Sequence, residues 1–193
     1  TANSYRAVLG AYPDSYVLGV SATPTRLDGS GFDDLYDSIV CGPTVRELID
    51  GGHLSPFRLF ADPKPMTTKG VRKSQGDFSA GDLAAANDAI ELSGNLIASY
   101  RQHCNGAKAI VFAINRQHSQ TISDRYNSAG IPSRHLDALS SPDERKAVLE
   151  AFRRGDIRVL CNVNLFTAGF DLPDCEVCQV ARPKARLVLH LQL

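Results

Sequence analysis

Short apolar runs alternate along this chain with longer segments whose apolar residues recur every three or four positions. The runs are VLGV (Val17 to Val20), FRLFA (Phe57 to Ala61), AIVFA (Ala109 to Ala113), SRHL (Ser133 to Leu136), RVLCN (Arg158 to Asn162) and VCQVA (Val177 to Ala181). Each is bounded by turn formers and reads as a strand. The clearest helix is SSPDERKAVLEAFRRG, in which Ser141 and Glu144 form a capping box, Pro142 takes the first helical position and Gly155 ends it. Val148, Leu149 and Phe152 are its expected buried face. A second helix spans about Arg116 to Tyr126, with Ile122 and Tyr126 inward and Gly130 closing it; a third covers Leu83 to Cys104, with Leu96, Ile97 and Tyr100 inward and Ser93-Gly94 as its weak point. Strands alternating with helices predict right-handed crossovers and a mostly parallel sheet with helices on both faces, an α/β fold.

Two stretches break this rhythm. Asp62 to Asp82, DPKPMTTKGVRKSQGDFSAGD, is rich in Pro, Gly, Lys and Ser and predicts an exposed excursion. Thr25 to Pro43 is a long irregular connection that suits a linker, so residues 1–43 and 44–193 are the expected divisions. Composition narrows the classes. The chain has 193 residues, 43% of them hydrophobic, enough for one substantial core or two modest ones. Its 21 basic and 21 acidic residues cancel, which argues against a purely electrostatic nucleic-acid binder and leaves recognition to local placement of groups. No apolar run reaches the length of a membrane span and TANSYRAVLG lacks a signal-peptide pattern, so no membrane partner and a cytoplasmic location are expected. Five scattered cysteines suit reduced thiols. An opening on Thr1, in mid-helix, predicts a piece of a larger protein.

In open parallel sheets the ligand crevice lies beyond the carboxyl ends of the strands. VLGV is followed there by Ser21, Ala22, Thr23 and Pro24, AIVFA by Asn115, Arg116, Gln117 and His118, and RVLCN by Asn164, Thr167, Gly169 and Asp171. Hydroxyls, amides and glycine N–H groups along one edge suit phosphate oxygens. The same residue types also begin ordinary helices and turns, and any one loop alone is explained that way.

Taken in order, these loops resemble the superfamily 2 helicases and translocases, the DEAD/DEAH-type motors. SATPTR resembles their third motif, AIVFAINRQHSQ the fourth, and VLCNVNLFTAGFDLP the fifth, with its Thr-x-Gly-x-Asp kernel at Thr167, Gly169 and Asp171. The likeness runs from Tyr16 to Gln192 and is nearest to bacterial and phage DNA motors related to restriction-enzyme translocases. It implies RecA-like lobes, with residues 1–43 ending the first and 44–193 forming most of the second, up to the start of the sixth motif at Gln192. It further implies that Ser21 and Thr23 couple nucleotide state to strand binding, and that Asn115, Arg116, Thr167 and Gly169 lie at strand phosphates. Gly169 and Asp171 would face ATP. ATP and Mg²⁺ are the implied cofactors of the intact protein, with neither held tightly by this piece alone. Nucleic acid is the implied partner, DNA in preference to RNA, alongside an attached or associated nuclease. Ala168 departs from the family, whose members often carry an acidic residue there.

The chain contains no G-x-x-x-x-G-K-[ST] loop and no apolar strand ending in Asp-Glu, and it stops before any sixth-motif arginine. ATP hydrolysis by these residues alone is therefore not expected. Cys175 and Cys178 lack a second ligand pair, which favours plain thiols over a metal site. The histidines are dispersed with no visible nucleophile partner. On RKAVLEAFRR, Arg145 to Arg154, a phosphate-reading face competes with a merely solvated one, and Arg145 is the stronger candidate. The rival for the whole is a binding module, a helicase lobe that grips nucleic acid or protein without turnover.

Overall fold

The structure is a computed structural model of the chain, which describes residues 2–21, 31–33, 35–61, 66–74, 77–87, 89–104, 106–166 and 172–183. The chain divides into two units, Thr1–Leu59 and Phe60–Leu193. The first contains helices α1 (Ala2–Gly10) and α2 (Val45–Asp50). Thr44 begins α2 with a full capping box: its Oγ accepts from the Glu47 N–H at 3.2 Å, and its own N–H donates to Glu47 Oε2 at 2.7 Å.

Two of the predicted strands are not strands. Residues 17–20 and 57–61 are irregular, with Leu18 at 90%, Val20 at 92% and Leu59 at 88% exposure. A strand is held by a ladder to a neighbour, and the described residues of the first unit contain no other strand to supply one. Apolar content by itself does not create that partner.

The second unit holds the sheet. Strands β3 (Ala109–Phe112), β4 (Ser133–Leu136), β5 (Val159–Asn162) and β6 (Val177–Val180) are parallel in the order β4-β5-β3-β6. A small antiparallel pair, β1 (Lys73–Ser74) and β2 (Asp77–Phe78), lies within the polar excursion. The remaining helices are α3 (Ala80–Ala86), α4 (Ala89–His103), α5 (Arg116–Ser128) and α6 (Pro142–Arg154). The helix predicted over Leu83 to Cys104 is thus two helices, and the break falls at Asn87 rather than at Ser93-Gly94. Asn87 is extended, at φ −129° and ψ 135°, and its side-chain amide bonds the carbonyls of Leu83 at 2.8 Å and Thr67 at 3.0 Å. An Asn that satisfies helix-end carbonyls competes with continuing the helix.

Alternation along the buried strands sorts the core into two layers. Ala109, Val111, Val159 and Cys161 pack with Ile97 and Tyr100 of α4 and with Ile122 and Tyr126 of α5; Ile110, Phe112, Leu136 and Leu160 pack with Phe152 of α6. Helices therefore cover both faces. The Tyr126 ring meets Tyr100 edge-on at 5.7 Å, and its hydroxyl bonds Gln179 Oε1 at 2.6 Å. No helix among the described residues is long and apolar enough to cross a membrane.

Both ends of α6 fall where its sequence signals place them, with one of the two bonds of the expected Ser141–Glu144 capping box formed. The Ser141 hydroxyl accepts from the Glu144 N–H at 3.1 Å, Pro142 opens the helix, and Gly155 closes it at φ +85°. A Cβ on Gly155 would meet only the Arg158 guanidinium, at an ordinary 3.6 Å, so the obstacle to a side chain is backbone conformation alone. Gly155→Ala is accordingly expected to lower stability by about 1 kcal/mol, read as a shift in the urea midpoint at unchanged m-value.

Candidate nucleic-acid interface

Parallel strands deliver their carboxyl ends to one edge, and in this sheet the edge carries Asn115 and Arg116 after β3, Asp137 after β4, Asn164 after β5 and Arg182 after β6. Asn115 is the N-cap of α5. Its backbone is extended and its side-chain oxygen accepts from the His118 N–H at 2.8 Å, so the residue both ends β3 and starts the helix. Arg116, the first helical residue, pairs through Nε with Asp137 Oδ2. Since β5 lies between β3 and β4, this pair joins the ends of the two strands that flank β5.

Asp137 is 4% exposed and fully engaged. Its Oδ1 accepts from the Leu139 N–H at 2.8 Å and the Ser140 N–H at 3.2 Å, while Oδ2 takes Arg116 and His135 Nε2, the latter at 3.2 Å. Burial alone would raise its pKa, but the Leu139 N–H, Arg116 and His135 outweigh it and hold the carboxyl down at about 2. Behind it, the Ser119 hydroxyl lies 2.7 Å from His135 Nδ1. Ser119, His135 and Asp137 thus form the contacts of a Ser-His-Asp triad, which the dispersed histidines gave no reason to expect. Ser119 is 0% exposed, so no substrate reaches its oxygen and the arrangement is not a nucleophile site.

His118, a fourth-motif candidate for the edge, is instead 3% exposed. Its Nδ1 accepts from the Ile114 N–H at 3.3 Å and burial pushes its pKa down, so the ring is a neutral part of the core packing. Arg145 is half-buried, and its guanidinium donates to the carbonyls of Asp137 at 3.2 Å and Ala138 at 2.9 Å. It fastens the β4–α6 turn from below. A second cluster lies across the edge: Arg182 donates to Asn164 Oδ1 at 2.9 Å and to Asp77 Oδ2 at 2.7 Å, tying the hairpin after β1 to the loop after β5. Asn164 holds φ +51° in that loop. The base of the loop is Asn162, which is 0% exposed. Its Nδ2 donates to the Val111 carbonyl at 3.0 Å, and its Oδ1 accepts from the N–H groups of Leu165 at 3.3 Å and Phe166 at 3.4 Å.

Of the sequence-predicted residues, Asn115, Arg116 and Arg145 come together at this edge. Ser21 belongs to the first unit, where it is exposed. Thr23, Thr167, Gly169 and Asp171 lie outside the described residues. Sequence reading missed Ser119, His135, Asp137, Asn162 and Arg182. One signal was present: in DALS, an Asp directly after a strand with N–H groups two and three residues on reads as an Asx turn.

Comparison with known proteins bears on what such an edge serves. The chain is 38% identical over 193 residues to the 51.5 kDa protein of a Lactococcus phage, covering 99% of this chain and 42% of that one. It is 24% identical to IRC3 of Saccharomyces cerevisiae, a protein named as an ATP-dependent helicase, covering 100% of this chain and 29% of that one. The chain therefore spans less than half the length of these relatives. Among solved structures, the helicase domain of Pyrococcus furiosus Hef aligns with 49% of this chain and 20% of that chain, at 25% identity and a TM-score of 0.42. The helicase conserved C-terminal domain matches residues 89–192, more than half of the chain and the whole of the four-stranded parallel sheet, and the chain belongs to that family.

Proposed function

We propose that residues 44–193 form most of the second RecA-like lobe of an ATP-dependent helicase or translocase, with residues 1–43 ending the first lobe, and that the motor acts on DNA in preference to RNA. The observation that carries the reading is the exposed Arg116, 62% accessible and held by a buried carboxylate at the sheet edge of a helicase C-terminal domain. An arginine so placed suits a phosphate, and a grip on backbone rather than bases makes movement largely independent of sequence. Thr167 and the Gly169 N–H are proposed to contact the same strand and Asp171 the nucleotide ribose, Ser21 and Thr23 to couple the two, and Asn115 and Arg145 to shape the Arg116 loop. An associated nuclease and a cytoplasmic location belong to the same proposal.

MgATP supplies the free energy for movement when bound to the whole motor. The 193 residues contain no phosphate-cradling loop, and among the described residues no three His, Cys, Asp or Glu side chains could hold a metal ion. The described residues do not fit the triphosphate and its metal, which are assigned to the longer protein suggested by the relatives' lengths. The test is ATP hydrolysis by that longer protein with single-stranded DNA, single-stranded RNA or duplex DNA, with the 193-residue chain alongside. The expected result is DNA-stimulated turnover by the longer protein, none by the chain alone, and reduced stimulation on Thr167→Ala. No turnover from the folded longer protein would replace the motor by a binding module, and turnover by the chain alone would refute the division of labour.

A further inference from the structure

We infer that His135 is a positioning residue for Arg116, acting through Asp137 and fixed in its turn by Ser119. This rests on the reading that Arg116 holds a strand phosphate, and it adds what makes that grip rigid. Arg116 and Ser119 stand three apart on α5 and share a helix face; His135 and Asp137 stand two apart at the end of β4 and share a sheet face. The two spacings put four side chains opposite one another as one continuous chain of three hydrogen bonds.

Proton bookkeeping gives that chain a direction. Asp137 Oδ2 is an acceptor, so His135 must carry a proton on Nε2 to bond it at 3.2 Å. In the neutral ring Nδ1 is then an acceptor, and the Ser119 hydroxyl, 2.7 Å away, donates to it. Asp137 thereby fixes the tautomer, and the Ser119 hydroxyl holds the ring at its other nitrogen. Asp137 in turn receives Arg116 through Nε, and among the described residues it is the one partner of that guanidinium. With Nε engaged, the end of the fork formed by the two Nη groups stays open, which is the edge that meets a phosphate with two parallel bonds.

Exposure changes abruptly along the chain: Ser119 is 0% exposed, the side chains of Asp137 and His135 are 6% and 13% exposed, and that of Arg116 is 62% exposed. Two buried residues and one half-buried histidine thus end in a single solvent-facing charge. Holding an arginine in its bound conformation before the strand arrives removes ordering that binding would otherwise require. A Ser-His-Asp set whose serine reaches no substrate finds its use in that positioning.

The test is a double-mutant cycle read by fluorescence anisotropy with a labelled oligo-thymidylate, across a salt series at neutral pH, in the full-length protein. Arg116→Ala is expected to weaken binding about tenfold and to lower the slope of log K against log salt by about 0.7, one single-strand phosphate contact. His135→Ala is expected to weaken binding about fivefold with a shallower slope, but to change nothing further once Arg116→Ala is present. His135→Gln, which keeps a donor at the Nε2 position, should restore most of the loss. Should His135→Ala fail to fold, Ser119→Ala carries the same cycle by removing one hydroxyl. If the histidine and arginine effects multiply instead, His135 acts independently and the inference falls while the phosphate reading stands. If Arg116→Ala leaves both affinity and slope unchanged, the phosphate reading itself fails and takes the inference with it.

Discussion

Replacing Asn162 with alanine is expected to lower stability by about 3 kcal/mol, combining a lost buried hydrogen-bonding group with the small void it leaves. The residue is 0% exposed and serves three partners at once: it donates to the Val111 carbonyl of β3 and accepts from the N–H groups of Leu165 and Phe166. Alanine removes all three bonds from a side chain that water does not reach, and an unmade buried bond costs more than a made one contributes. The loss has a direction as well. Leu165 and Phe166 begin the loop that leads to Thr167, so Asn162 is the peg that fixes where the proposed strand contact starts. In the intact protein Asn162→Ala should therefore reduce DNA-stimulated ATP turnover more than basal turnover. Urea unfolding measures the first effect and steady-state hydrolysis with and without DNA the second. A stability change below about 1 kcal/mol would mean that the loop is held by other contacts, and equal loss of basal and stimulated turnover would remove the link to the strand.

The parts of the fold that could be read from the chain were those encoded locally. AIVF, VLCN and VCQV each combine a short, mostly apolar run with turn formers at both ends, SRHL is set off by Pro132 before it and Asp137 after it, and each is a strand of the sheet. Helix α6 carries its own start and stop in Ser141, Pro142 and Gly155. VLGV and FRLFA carry the same apolar signal and are irregular, because a strand also needs a neighbour and local sequence does not say whether one is there. Asn87 rather than Ser93-Gly94 breaks the long helix, since what decides is the reach of its side chain to the Leu83 and Thr67 carbonyls. The site divides the same way. Asn115 and Arg116 could be placed at the edge because the residues after a parallel strand must go there. The Ser119–His135–Asp137 chain could not, because it joins residues of α5 and β4 whose facing depends on a crossover and a register. Arg145 shows the converse: its basic helix face suggested a phosphate contact, whereas its guanidinium is bonded to two carbonyls of the turn before its own helix.

Asp137→Asn is the second large perturbation, and its effect should depend on pH. The carboxylate is flanked by donors on every side: the Leu139 and Ser140 N–H groups at Oδ1, and Arg116 and His135 at Oδ2. An amide has one accepting end, so whichever way the substituted side chain turns, its NH₂ faces a pair of donors. At neutral pH the substitution is expected to cost about 3 kcal/mol. The acid dependence follows from the carboxyl's position at about 2 in the folded chain, below the roughly 3.9 of an unfolded aspartate. A depressed folded pKa contributes stability that is fully present above the unfolded value and is lost as pH falls through the folded one. Wild-type protein should therefore lose this contribution between about pH 4 and pH 2, while the amide variant, with no proton to take up there, should lose less over the same interval. The two unfolding free energies converge on acidification. Urea titrations at stepped pH values down to that range measure the gap directly. A gap that stays constant would show that Asp137 is not the carboxylate through which acid loosens this edge, and would leave Arg116 held by geometry other than its charge.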